Sequence, residues 1–176
     1  MLYVLIVLLI ISDQLSKYWI THNMSIGEVR PVIEGFFSIT YFRNPGGAFS
    51  FLAEHDWGIY ILAGISVLVA AVLLVILFRI RKKHMFWIRF SLALLVAGTI
   101  GNMLDRVIFK SVVDYLMFTF GTYTFPVFNL ADMCIVCGSI LLAILLITDK
   151  KLFLSSEEKP EDTLSKEADS KEGKYL

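Results

Sequence analysis

The chain has 176 residues, about one domain's worth, and 57 % of them are hydrophobic against 18 % charged. A soluble domain carries about 45–50 % apolar and about 25 % charged residues, so the composition points to a membrane protein. Sixteen basic and sixteen acidic residues cancel, leaving no charge excess to draw nucleic acid, and two cysteines are too few for a disulfide scaffold.

A bilayer core of about 30 Å needs roughly 20 helical residues, and four apolar stretches meet that need. The first runs from Leu2 to about Ile20. It lacks a basic leader and a small-residue cleavage site, and it carries Asp13 and Lys17, so it reads as a retained helix and not as a signal peptide. The loop that follows, roughly 21–56, contains IEGFFSITYF over 33–42, a β-branched and aromatic run that predicts short strands near the membrane surface. The second span covers about Trp57 to Phe78 and the third about Met85 to Ile108. Between them lies Arg79-Ile80-Arg81-Lys82-Lys83-His84, a basic cluster that the positive-inside rule places in the cytoplasm. The fourth span covers about Phe128 to Thr148, after a second outer loop at 109–127. The resulting expectation is an all-α, four-transmembrane-helix bundle over residues 1–154 with a small extracytoplasmic β element and both termini cytoplasmic. Residues 155–176 (SSEEKPEDTLSKEADSKEGKYL) have too little apolar surface to offset ordering entropy and are expected to form a disordered cytoplasmic tail.

Ionisable groups inside spans are costly, on the order of 2.5–3.5 kcal/mol each near the bilayer centre. The charged and amide residues singled out within or beside the spans are Asp13, Lys17, Asn102, Asp105, Arg106, Asp114, Asn129 and Asp132. With the orientation above, all fall in one layer near the outer leaflet. Asp13 and Lys17 are four apart and share a helix face. Asn102 and Asp105 are three apart, as are Asn129 and Asp132, which sets each amide beside its carboxylate. Two carboxylates from different segments, Asp114 and Asp132, are then able to meet with amides and Arg106 around them. Crowded carboxyls cannot both ionise, so such a pair shares one proton and supports general acid–base hydrolysis without a covalent intermediate. Spacing alone leaves the structural alternative open: these aspartates could simply pair with Lys17 and Arg106 to hold the helices together.

Five motifs carry a resemblance. Asp13-Gln-Leu-Ser-Lys17, Arg43-Asn44-Pro-Gly46-Gly47-Ala48-Phe49, Gly98-Thr-Ile-Gly101-Asn102-Met-Leu-Asp105-Arg106, Val112-Val113-Asp114-Tyr115 and Phe128-Asn129-Leu-Ala131-Asp132 occur in the order and spacing of the type II (lipoprotein) signal peptidases. The chain thus resembles this family of bacterial intramembrane aspartyl endopeptidases from Asp13 to about Thr148. The resemblance implies a diacylglyceryl-modified prolipoprotein as substrate, cut just before the lipid-bearing Cys at the outer leaflet of the bacterial cell membrane. It implies Asp114 and Asp132 as the dyad, with Asn44, Gly46, Asn102, Arg106 and Asn129 orienting substrate and supporting the dyad. Asp13 and Lys17 are expected either to support the site from behind or to lie at the lipid interface, with Lys17 able to snorkel to lipid phosphate, and Asp105 is expected to pair with basic groups in its layer. A flap over the site, membrane lipids as partners and a monomeric state are expected, and no cofactor or metal is implied. The chain departs from the family pattern at three places: Lys110 where Gly is frequent, Tyr115 where Phe is frequent, and Gly47 where Ala is common.

Other chemistries fit less well. His22, His55 and His84 are dispersed and form no H-E-x-x-H, against a metalloprotease, and the serine motif G-x-S-G and the presenilin-type G-x-G-D are absent. Cys134-Ile-Val-Cys137 lies inside the fourth span and reads as small residues packing a helix interface. A proton-coupled carrier or a membrane scaffold remains as the alternative from another class. The carrier lacks the inverted repeats and midplane site of that class.

Overall fold

A computed structural model describes residues 2–46, 57–80 and 85–148. Eight elements follow in order: α1 (Leu2–Asn23), β1 (Val29–Ile33), β2 (Phe37–Asn44), α2 (Gly58–Arg79), α3 (Phe86–Phe109), β3 (Val112–Phe120), β4 (Tyr123–Thr124) and α4 (Leu130–Thr148). All four helices are long and apolar enough to cross a membrane, and each agrees with an expected span to within three residues. The molecule is a multi-pass membrane protein. Gly47, Ala48 and Phe49 of the second motif, most of the basic loop, His55, and the 154/155 boundary with its tail lie outside the described residues.

The described residues up to Leu142 form one compact unit, and Ala143–Thr148 belong to another. Within the first unit α3 is the most enclosed helix, burying Leu92, Ala93, Val96 and Ala97 with Gly98 and Gly101. Its small residues serve close approach. A Cβ on Gly98 would collide with the Ala131 carbonyl oxygen, and one on Gly101 would sit 2.7 Å from Asp13 Oδ2 and 3.1 Å from the Ala131 Cβ. These glycines let α1 and the start of α4 press onto α3, the small-residue packing that operates where no hydrophobic force drives helices together. Apolar residues such as Val7, Leu8, Leu68 and Ile144 stay exposed on the helix surfaces.

The strands form one antiparallel sheet ordered β1-β2-β3-β4. The strand expected within 33–42 is present as β2 and the end of β1. The residues of β3 carry no strand signal of their own, because VVDYLMFTF is a mostly apolar run around Asp114 with no alternation to mark it. Pairing of β2 with β3 shifts register between Ile39 and Phe42, which face Leu116 and Asp114. The extra residue on β2 allows consecutive Thr40 and Tyr41 both to be buried, as a bulge does. Tyr41, Val113 and Tyr115 pack with Ile20 of α1 and with Met24 just after it, and the Tyr115 hydroxyl lies 2.8 Å from Ser16 Oγ. The sheet is thereby fixed to the end of α1, and β3 carries Asp114 into the bundle.

Candidate active site

The polar residues of the spans separate into two linked groups. In the first, the buried Lys17 ammonium lies 2.9 Å from Asp13 Oδ2 and 3.1 Å from Asp105 Oδ2, and donates to Asn102 Oδ1 at 3.0 Å. Gln14 Nε2 donates to Asp13 Oδ2 and Asp105 Oδ1, both at 3.1 Å. Backbone donors complete both carboxylates. Ala131 N–H donates to Asp13 Oδ1 at 3.0 Å, satisfying an orphan amide in the first turn of α4. Val113 N–H donates to Asp105 Oδ2 at 3.1 Å and fixes the start of β3. Lys17 is 3 % exposed, so of the two expected places it takes the one behind the site and does not snorkel to lipid. Two buried carboxylates offer its ammonium stronger partners than a headgroup, and burying them without it would be prohibitive.

The second group contains Asp114 and Asp132. Asn129 precedes α4 as its N-cap. Its side-chain oxygen accepts from Asp132 N–H at 2.9 Å, while Asn129 N–H donates to Asp132 Oδ2 at 3.2 Å. This reciprocal pairing is a capping box. The sequence signal for it, Asn-x-x-Asp before an apolar run, is local and readable. The Asn129 amide nitrogen then faces Asp114 Oδ1 at 2.7 Å, with Asn102 Oδ1 at 3.1 Å and Val113 O at 3.3 Å. Asn44 Nδ2 donates to Asp114 Oδ2 at 3.3 Å. Asn102 Nδ2 donates to Asp132 Oδ1 at 2.7 Å. Asn102 was expected beside Asp105, its neighbour one turn on; it instead reaches across to α4, because Lys17 and Asn129 together hold its carbonyl and turn its amine toward Asp132.

Among the described residues no Lys or Arg comes within ion-pairing distance of Asp114 or Asp132. Burial, with the nearby Asp132 charge, pushes the Asp114 carboxyl up to about 7, against smaller opposing effects from Asn44, Asn129 and Lys17. Both carboxyls line one cavity of about 440 Å³ together with Asn44, Asn102 and Arg106, under apolar walls from α2, α4 and the Phe125–Phe128 segment. Arg106 donates weakly to the carbonyls of Asn102 and Gly46, at 3.3 and 3.4 Å, and its buried Nε has no partner among the described residues. Gly46 N–H in turn donates to Asn44 Oδ1 at 2.9 Å.

All the expected site residues therefore lie in one connected network. The sequence reading missed Gln14, although a buried amide in an apolar run carries the same desolvation cost that drew attention to Asn102. Elsewhere in α4, Cys134 is buried but Cys137 is exposed, both as free thiols, so the interface-packing expectation is corrected for Cys137.

Comparison with known proteins gives the chain's relatives. The family model described as signal peptidase (SPase) II matches residues 5–148. The lipoprotein signal peptidase of Listeria welshimeri serovar 6b is 39 % identical over 153 residues, covering 86 % of this chain and 96 % of that protein. The lipoprotein signal peptidase of Bacillus pumilus is 38 % identical over 149 residues, covering 85 % and 94 %. A bacterial membrane enzyme solved by the in meso method at 2.3 Å resolution superposes with a TM-score of 0.76 at 32 % identity, covering 91 % of this chain and 93 % of that one. The chain belongs to the signal peptidase II family.

Proposed function

We propose that the chain is an aspartyl endopeptidase that removes signal peptides from diacylglyceryl-modified prolipoproteins by cutting just before the lipid-bearing Cys. The carrying observation is the pair Asp114 and Asp132: two carboxyls without a cation partner among the described residues, held by amides, opening onto one apolar-walled cavity. An aspartate that only brought helices together would be neutralised, as Asp13 and Asp105 are. The carrier and scaffold alternatives are not favoured by the relatives.

In this reading the pair shares one proton. The Asp114 carboxyl hydrogen-bonds the scissile carbonyl. Asp132 takes a proton from a water that attacks the carbonyl carbon while Asp114 gives its proton to the carbonyl oxygen, giving a tetrahedral diol. Asp132 then returns a proton to the leaving amine as the C–N bond breaks, and the Asp114 proton is restored from the collapsing diol. Asn44, Asn129 and Asn102 hold both carboxyls in place, and Arg106, which lines the cavity, orients the substrate backbone. The apolar walls suit a signal helix.

We place this layer at the outer leaflet, with both termini cytoplasmic, on the strength of Arg79 and the basic residues after it. All the site residues come from one chain, so a monomer suffices. The test is the purified protein acting on a lipidated prolipoprotein and on the same substrate without lipid, with the cut located by mass spectrometry. Cleavage before the modified Cys in the lipidated substrate alone supports the reading. A cut elsewhere, or equal cutting of both, overturns it.

A further inference from the structure

A second cavity of about 720 Å³ shares no lining residue with the first, and its volume is within the range of small-molecule sites, about 300–1,000 Å³. One wall is a stripe along α1: Ile11, Leu15, Tyr18 and His22, spaced to fall on one helix face. At about 1.5 Å per residue this stripe is roughly 16 Å long, the depth of a single leaflet of a bilayer whose core is about 30 Å thick. Its polarity is graded. Ile11 and Leu15 lie toward the middle of α1, while Thr21 and His22 lie at its end, near Tyr41 and Arg43 of β2.

Arg43 is the charged feature of this groove without an acidic partner. Nε donates to the Tyr41 hydroxyl at 2.7 Å and Nη1 to Ser111 Oγ at 3.2 Å, and the guanidinium lies 5.7 Å from the centroids of both Tyr41 and Phe109. Among the described residues it meets no carboxylate, and its Nη2 makes no hydrogen bond. The other ions in the wall, Lys17 and Asp105, neutralise each other. A planar donor fixed by two neutral hydrogen bonds and two rings, with one edge unspent, suits a phosphate.

We propose that this groove holds a phospholipid of the surrounding leaflet, its phosphate on Arg43 and an acyl chain along Leu15 and Ile11. The site is independent of the proposed catalytic reading and distinct from the substrate's own lipid, since a diacylglyceryl group presents no anion to Arg43. The test uses the full-length protein in delipidated detergent micelles, titrated separately with phosphatidylglycerol, diacylglycerol and inorganic phosphate. Native mass spectrometry reads retained lipid and a thermal shift reads stabilisation. Phosphatidylglycerol is expected to be retained as one preferred adduct and to raise the melting temperature, with the other two probes inert. Arg43→Gln, and His22→Glu at an exposed position, are each expected to weaken retention about tenfold or more, through loss of a charge-assisted bond or repulsion of the anion. If Arg43→Gln does not fold, the His22→Glu result stands by itself. Undiminished retention in the folded variants overturns the proposal. So does a shift reproduced by inorganic phosphate, which would mark a free-anion site, or by diacylglycerol, which would mark a merely apolar groove.

Discussion

Four aspartates converge on the same end of the bundle, yet they have opposite fates. Asp13 and Asp105 share the Lys17 ammonium, and each of their oxygens is satisfied by Lys17, Gln14 or a backbone amide of another element. They tie α1 and α3 to the starts of α4 and β3. Asp114 and Asp132 receive amide donors but no cation among the described residues, and they open onto a cavity. Buried charge that is neutralised fastens the fold, whereas buried charge left unneutralised remains able to exchange a proton. Asn102 links the two groups, accepting from Lys17 and donating to Asp132, so the first group sets the geometry of the second.

The largest expected effect is on turnover. Asp114→Asn and Asp132→Asn are each expected to lower cleavage by at least roughly 10³-fold, and the double variant hardly further, because groups acting as one unit are strongly non-additive. Cleavage of a lipidated prolipoprotein by the three variants measures this. Losses that simply multiply would dissolve the distinction between the two groups.

Next comes stability, where the groups are expected to differ in sign. Lys17→Met strands two buried carboxylates and is expected to cost about 3–5 kcal/mol, read as a fall in unfolding midpoint. Because Asn102 loses a partner as well, kcat is expected to fall in whatever fraction remains folded. Asp114→Asn is expected to stabilise, and in a pH-dependent way. The carboxyl is raised in the fold from 3.8 to about 7, so between these values the native state binds more protons than the unfolded state. Native stability therefore declines as pH rises through that window. Replacing Asp114 removes the slope. The gain should be near zero at pH 4 and complete above pH 7, at most about 4 kcal/mol, as followed by unfolding from pH 4 to 8. A gain at low pH that disappears at high pH would reverse the assignment.

The two groups were unequally legible in the sequence. Helix positions followed from length and hydropathy, and the i, i+4 spacing of Asp13 and Lys17 gave their ion pair directly. The direction of Lys17 stays open between the site and the lipid interface until the carboxylate on α3 is placed beside it. The contact between Asp114 and Asn129 is tertiary, made by a strand that carries no alternation, and only the motif order suggested that these segments meet. The Arg43 environment was unread for the same reason: Ser111 and Phe109 lie far from it in sequence and reach it only through the pairing of β2 with β3.

The smallest expected effect concerns the linker that delivers Asp114. Lys110 ends α3 with φ of 56° in the left-handed region, the one non-glycine residue there among the described residues. Its N–H donates to the Arg106 carbonyl at 3.2 Å, a helix-terminating geometry that glycine adopts without the steric cost of a Cβ. This accounts physically for glycine being frequent at that place in the family. The cost to lysine is about 1–2 kcal/mol. It is partly offset by the ammonium, 4.7 Å from the Tyr60 ring centroid, a contact worth about 0.5–1 kcal/mol at an exposed site. Lys110→Gly also loosens the unfolded chain, by about 0.4–1 kcal/mol. These nearly cancel, so Lys110→Gly is expected to move the unfolding midpoint by less than about 1 kcal/mol while leaving cleavage within about twofold. Lys110→Val, whose branched Cβ the left-handed region rejects, is expected to destabilise clearly and to lower cleavage by displacing β3. Equal behaviour of the glycine and valine variants would show that the turn does not position Asp114, and would leave that task to the Asp105 bond to Val113 N–H alone.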